Sequence, residues 1–94
     1  MAMLWTDEEY AKTNRIYEEA LAVRRAGRPR RRVDIVQACR QATGRKADGS
    51  VLMHLGNLTS ARMALGLATL PEFPALEHHP KKLTAFLERR VPRD

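Results

Sequence analysis

Apolar residues recur at helical spacing in this chain, and no stretch alternates apolar and polar residues as a half-buried strand would. Arginine, alanine and leucine are the commonest residue types, and all three favour helices. A chain of 94 residues is long enough to bury one modest core. The sequence therefore predicts an all-α fold, a small single-domain bundle of four to five helices.

Capping patterns and helix breakers set the predicted boundaries. Thr6 and Glu9 have the spacing of a capping box at the start of the first helix. Gly27 and Pro29 end that helix, and Gly44 ends the second. The predicted helices cover residues 7–26, 33–43, 50–65 and 80–91, and a basic loop covers residues 27–32.

The second and third helices form the most informative pair. They are short, amphipathic and joined by a polar turn over residues 44–49, which is compatible with a helix-turn-helix-like arrangement, although the turn is longer than usual. Asp48 or Ser50 could cap the third helix. Because Gly56 and Asn57 lower helix propensity, this helix could be one bent helix or two short ones.

Positive charge is concentrated in one part of the chain. The net charge is +6, yet residues 24–46 hold nine basic residues and only one acidic residue, Asp34. The rest of the chain holds eight basic and ten acidic residues. Clustered basic charge is typical of a surface that binds nucleic acid, although a solvated arginine loop has the same composition. We favour nucleic acid, with double-stranded DNA as the expected partner.

The helix-turn-helix interpretation predicts two sets of DNA-contacting residues. In such a pair the second helix meets base edges, while a basic loop can follow the phosphates. The predicted phosphate-binding residues are Arg28, Arg30, Arg31, Arg32, Arg45 and Lys46. The predicted base-facing residues are Ser50, His54 and Asn57. Asn57 can bond adenine at two atoms, but it could equally hydrogen-bond the backbone beside Gly56.

Patterns for catalysis and metal binding are weak. The adjacent His78 and His79 lack further ligands at a convincing spacing, and no glycine-rich phosphate loop is present. The single cysteine, Cys39, excludes an internal disulfide and suits a reducing compartment. No apolar run is long enough to span a membrane. We therefore expect a cytoplasmic protein that is not an enzyme, with no metal, no cofactor and no membrane partner.

Residues 44–76 resemble a known family. They contain Gly44-Arg45, Gly49-Ser50-Val51, Asn57-Leu58-Thr59, Leu65-Gly66-Leu67 and Pro71. This order is similar to that of the N-terminal head domain of ScoMcrA-type modification-dependent HNH restriction endonucleases. The resemblance implies a helical accessory module of a restriction or related defence system that associates with DNA, plain or modified, usually beside a nuclease. The segment Glu72-Phe73-Pro74-Ala75 departs from the family's Gly-Tyr-Lys-Pro-like element.

A protein-protein interaction or dimerisation module is the alternative function. The basic loop would then dock on an acidic partner, such as the rest of a restriction complex, or a host protein if the chain is phage-encoded. Retention on a DNA resin, compared with self-association in size-exclusion chromatography, distinguishes the two functions.

Overall fold

The protein is built from four α-helices within residues 4–90, the part of the chain that the computed structural model describes. They are α1 (Asp7–Arg25), α2 (Arg32–Thr43), α3 (Asp48–Ala64) and α4 (Lys81–Glu88), and this range contains no strand. The all-α prediction is confirmed. The last helix was predicted over residues 80–91, but α4 ends at Glu88, earlier than predicted; residue 91 itself lies outside the described residues. None of the four helices is both long and apolar enough to cross a bilayer.

Local signals set both ends of α1. Thr6 Oγ1 accepts a hydrogen bond from the Glu9 N–H at 3.2 Å, and the Glu9 carboxylate accepts one from the Thr6 N–H at 3.0 Å. The predicted capping box is therefore present. At the other end, Gly27 follows the cap residue Ala26 with a φ of +81°, a conformation that glycine adopts without strain.

Helices α2 and α3 are joined by only four residues, 44–47. Gly44 ends α2 as predicted, but α3 begins at Asp48, earlier than expected. Neither Asp48 nor Ser50 is the N-cap, because Ala47 occupies that position and makes no side-chain cap bond. Asp48 lies instead in the first turn, where the helix dipole favours a carboxylate. The connection thus has the length of an ordinary helix-turn-helix turn.

Helix α3 is continuous over its 17 residues, in spite of Gly56 and Asn57. Gly56 is suited to its position because Leu76, from the connection between α3 and α4, passes over it. A Cβ atom on Gly56 would lie 2.8 Å from Leu76 Cγ. The Leu76 N–H also donates to the Gly56 carbonyl at 3.4 Å. The glycine therefore permits this connection to pack directly on α3.

All four helices and the connection before α4 contribute to one core. The largest buried side chains include Tyr17, Ile35, Leu55, Leu58, Leu70, Phe73 and Leu87. The Tyr17 hydroxyl lies 2.8 Å from Thr59 Oγ1 and accepts from the Leu70 N–H at 2.7 Å. These two bonds tie α1, α3 and the following connection together inside the core.

One arginine, Arg62, is also buried, with 4% of its surface exposed. Its Nη1 donates to Asn14 Oδ1 at 2.7 Å, and its Nε donates to the Ala68 carbonyl at 2.8 Å. The guanidinium carbon lies 5.0 Å from the centre of the Tyr17 ring. A buried charge is tolerated when its donors are bonded in this way, so Arg62 is a structural residue.

Candidate nucleic-acid interface

The connection between α1 and α2 presents a group of exposed arginines. Arg28, Arg30, Arg31 and Arg32 all lie at the surface. The left-handed Gly27 turns the chain away from α1, and the Arg28 N–H donates to the Val23 carbonyl at 2.9 Å. Because α2 begins at Arg32, the arginines lie at or just before the positive N-terminal pole of that helix. We call residues 28–32 the arginine loop.

Most of the arginine loop has no anionic partner within residues 4–90. Arg28, Arg30 and Arg32 make no ion pair in that range. Arg31 differs, because its Nε and Nη2 donate to the two carboxylate oxygens of Asp34 at 3.1 and 3.3 Å. Three of the predicted phosphate-binding arginines are therefore available to bind an external anion, whereas the Arg31 guanidinium is already paired with the Asp34 carboxylate.

Two of the cations on either side of the arginine loop in the sequence are bound to carboxylates. Arg24 Nη1 lies 2.6 Å from the Glu72 carboxylate, and Arg40 Nη1 lies 2.9 Å from that of Asp48. Lys46 is exposed and makes no ion pair in the described part of the chain. The charges available to a polyanion are thus fewer than the composition suggested, and they lie before α2 and after it.

Arg45 is not placed as a phosphate ligand, and the prediction for this residue is corrected. Its side chain is only 16% exposed, and its Nε and Nη2 donate to the Glu9 carboxylate at 2.6 and 2.9 Å. The guanidinium also stacks on the Trp5 ring at 4.0 Å. This hydrogen bonding lowers the pKa of Glu9. Arg45 therefore ties the turn after α2 to the start of α1.

His54 does not face bases, and this prediction is wrong. The side chain is 4% exposed and is stacked between Trp5 and Tyr10, with ring centres at 4.0 and 5.6 Å. Its Nε2 lies 2.8 Å from Thr13 Oγ1. Burial, with a further contribution from the charge of Arg45, lowers the pKa of His54 to about 4. The imidazole is therefore a neutral part of the core at ordinary pH.

The remaining base-facing candidates lie on the one partly open stripe of α3. Ser50 and Asn57 are half-buried there, beside Met53, which is 63% exposed. Eight other residues of α3 are buried, although Met63 near its end is 59% exposed. The α3 surface that a base could touch is therefore small and has an apolar residue at its centre. Base contact by Ser50 and Asn57 remains a prediction.

The open side of α2 is a polar surface that the sequence interpretation overlooked. Gln37 and Gln41 are exposed there, four residues apart, on the side opposite the buried Ile35, Val36 and Cys39. The signal was available, because this spacing and the apolar stripe are both readable in the sequence. The helix-turn-helix interpretation assigns base contacts to the third helix alone.

Family models, curated proteins and solved structures give no significant match to this chain. The resemblance to the head domain of modification-dependent endonucleases therefore depends only on the motifs quoted from residues 44–76.

Elsewhere in residues 4–90, the His79 side chain contacts a neighbouring helix and the Cys39 side chain is buried. His79 Nδ1 lies 2.7 Å from Ser60 Oγ, which holds the end of the connection before α4 against α3. Burial raises the pKa of the Cys39 thiol to about 12, so this cysteine is a poor nucleophile. No group of three or more metal-ligating side chains is assembled in this range. The exposed cations remain the most evident functional feature.

The buried His54 predicts a pH-dependent stability. Between its ordinary pKa of 6.5 and about 4, the unfolded chain binds a proton that the folded protein does not bind. The free energy of unfolding should therefore fall as the pH is lowered through this interval, by roughly 1.4 kcal/mol per pH unit. Urea denaturation at neutral pH and at about pH 5.5 measures the change, because the Glu9 pair begins to lose its contribution only as the pH approaches the ordinary carboxyl pKa of 4.5.

The variant His54→Gln is the control for this prediction. The amide cannot titrate, so the variant should be less stable than the parent at neutral pH but should lose less stability on acidification. Equal losses in the two proteins would show that another group carries the pH dependence.

Proposed function

We propose that this protein binds double-stranded DNA through the phosphate backbone, with the arginine loop as the main contact surface. The observation that carries this proposal is the exposure of Arg28, Arg30 and Arg32 without an anionic partner within residues 4–90. Solvated arginines so close together repel one another, and a phosphate strand relieves that repulsion. Arginine also matches phosphate geometry with two parallel hydrogen bonds.

The helix behind the loop supports the same assignment. Arg31 is the N-cap of α2, and its side chain makes no cap bond. The first N–H groups of a helix point outwards and carry a partial positive charge, which favours a bound phosphate. The helix pole and the arginines therefore act on the same anion.

The wider role that we propose is an accessory module beside a DNA-modifying or DNA-cleaving partner, in the cytoplasm. It rests on the resemblance to the head domain of modification-dependent restriction endonucleases. In this proposal the chain itself is not an enzyme: it supplies affinity for DNA, and a nuclease partner supplies the chemistry.

Fluorescence anisotropy with a short labelled duplex, plain and modified, tests the proposed function. Each phosphate contact releases counterions, so affinity depends steeply on salt. Four contacts, from Arg28, Arg30, Arg32 and Lys46, predict a loss on the order of a hundredfold between about 50 and about 200 mM salt. Absence of binding at the lower salt concentration would reject the proposal.

An apolar groove favours a second candidate function, a protein-interaction module. The groove, of about 410 Å³, lies between α3 and residues 73–76, and its lining includes Leu52, Met53, Phe73 and Leu76. Arg32 also lines it, so a fitting partner would carry apolar side chains flanked by carboxylates. Light scattering at increasing concentration and passage over a DNA resin separate the two functions. A protein that ignores DNA at low salt would favour this second candidate.

A further inference from the structure

Helix α2 buries one side and leaves the other open over its whole length. Its buried residues are Ile35, Val36 and Cys39, which face α1 and α3. Its exposed residues include Val33 in the first turn, 57% exposed, and beyond that turn Gln37 and Gln41; Arg40 between the glutamines is half-buried. Helix α3 has the reverse character, because eight of its residues are buried and its open stripe is centred on Met53. The helix that offers polar side chains outwards is therefore α2.

The carboxylates beside this face are already neutralised. Asp34, on the first turn of α2, is bound at both oxygens by Arg31. Asp48, at the start of α3, is bound by Arg40 at 2.9 Å. A DNA strand approaching the face would meet no unpaired carboxylate from these two residues. The local repulsion that aspartates would otherwise exert on phosphate is thus reduced.

Donor groups line a cavity at the C-terminal half of the same face. The cavity measures about 320 Å³ and is lined by Gln37, Arg40, Gln41, Gly44, Arg45 and Lys46. Arg40 Nε is buried and has no hydrogen-bond partner within the described residues. Arg45 and Arg40 are held by Glu9 and Asp48, so the groups left for DNA are the two glutamine amides and the Lys46 ammonium. Amide and ammonium groups are of the kinds that pair with base edges and phosphates.

The dimensions of α2 suit the major groove. Twelve residues give a helix about 18 Å long, and a groove about 12 Å wide admits a helix. Side chains four residues apart are about 5 to 6 Å apart at Cβ, so two glutamines can reach neighbouring base pairs. Glutamine bonds adenine at N6 and N7. The arginine loop and Lys46 would then lie over phosphates beyond the two ends of the helix.

From these observations we infer that α2, and not α3, enters the major groove, with Gln37 and Gln41 as the residues that select adenine. This inference rests on the proposed binding of double-stranded DNA. It assigns the recognition of DNA bases to α2 and not to α3, the second helix of the helix-turn-helix-like pair.

The test is selection from a pool of duplexes with a randomised centre, followed by sequencing of the bound fraction. The parent should enrich adenine at two positions, by about five- to 150-fold over other bases, since a bidentate pair discriminates by ~1–3 kcal/mol. The variant Gln37→Ala/Gln41→Ala should lose that enrichment while keeping the parent's salt dependence. Alanine favours helices, so this exposed double substitution should not unfold α2.

The variant Asn57→Ala serves as the comparison on α3. Adenine enrichment that survives the double glutamine substitution but disappears in Asn57→Ala would overturn the inference in favour of α3. Binding with no base preference in the parent would also overturn it, while leaving the proposed function standing. Absence of any binding to the pool at low salt would reject the proposed function, and this inference with it.

Discussion

The double substitution Arg28→Glu/Arg30→Glu is expected to weaken binding to a short duplex on the order of a hundredfold at about 50 mM salt. Both side chains are exposed and make no ion pair in residues 4–90, so they can bind phosphate without first breaking an ion pair. Loss of two contacts should also lower the slope of log affinity against log salt by about two. Anisotropy titrations at several salt concentrations measure both quantities.

A matched control separates a local contact from a general effect of net charge. Arg15→Glu/Lys81→Glu changes the net charge by the same amount at two exposed positions elsewhere in the chain. This variant should retain most of the affinity, because only long-range attraction is altered and that attraction is screened by salt. Equal losses in the two variants would mean that the arginine loop is not the contact surface.

The substitution Arg62→Ala is expected to have the largest effect on stability, a loss of about 3 to 4 kcal/mol in the free energy of unfolding. It leaves the Asn14 side-chain oxygen and the Ala68 carbonyl without their donors and removes the packing over Tyr17. For a chain of this size the melting temperature should fall by at least 12 °C, at ~4 °C or more per kcal/mol. Urea denaturation and thermal unfolding measure the two values.

The exposed Arg15 supplies the control for this substitution. Arg15→Ala removes the same side chain from a surface position and should change the free energy of unfolding by less than about 0.5 kcal/mol. A near-neutral Arg62→Ala would show that the buried bonds to Asn14 and Ala68 contribute little to the fold.

The elements of this fold were predictable from the sequence because their signals are local. Thr6 and Glu9 cap α1 through contacts three residues apart, and Gly27 and Gly44 follow the helices that they end. The start of α3 was misplaced because Asp48 and Gly49 were assigned to a turn by composition. In the structure both residues join the helix, where Asp48 meets the dipole and pairs with Arg40.

The residues of the candidate site were predicted less well than the helices. The wrong predictions concern side chains that contact residues far away in the sequence. His54 contacts Thr13, which is 41 residues away, and Arg45 contacts Glu9, which is 36 residues away. Nothing within the third helix indicates that Trp5 covers its histidine. The arginine loop could be located from sequence, because glycine, proline and high charge keep such a segment at the surface.

The proposed contact between DNA and the arginine loop can be measured residue by residue. It is tested most directly by nuclear magnetic resonance, with ¹H–¹⁵N spectra of the labelled protein recorded during titration with a short duplex at low salt. Amide shifts should concentrate in residues 28–33 and near Lys46, and should extend to Gln37 and Gln41 where α2 enters the groove. The amides on the outer face of α1 around Glu8 and Lys12 should stay unchanged. Shifts centred on α1 or α4 with none in the arginine loop would contradict it.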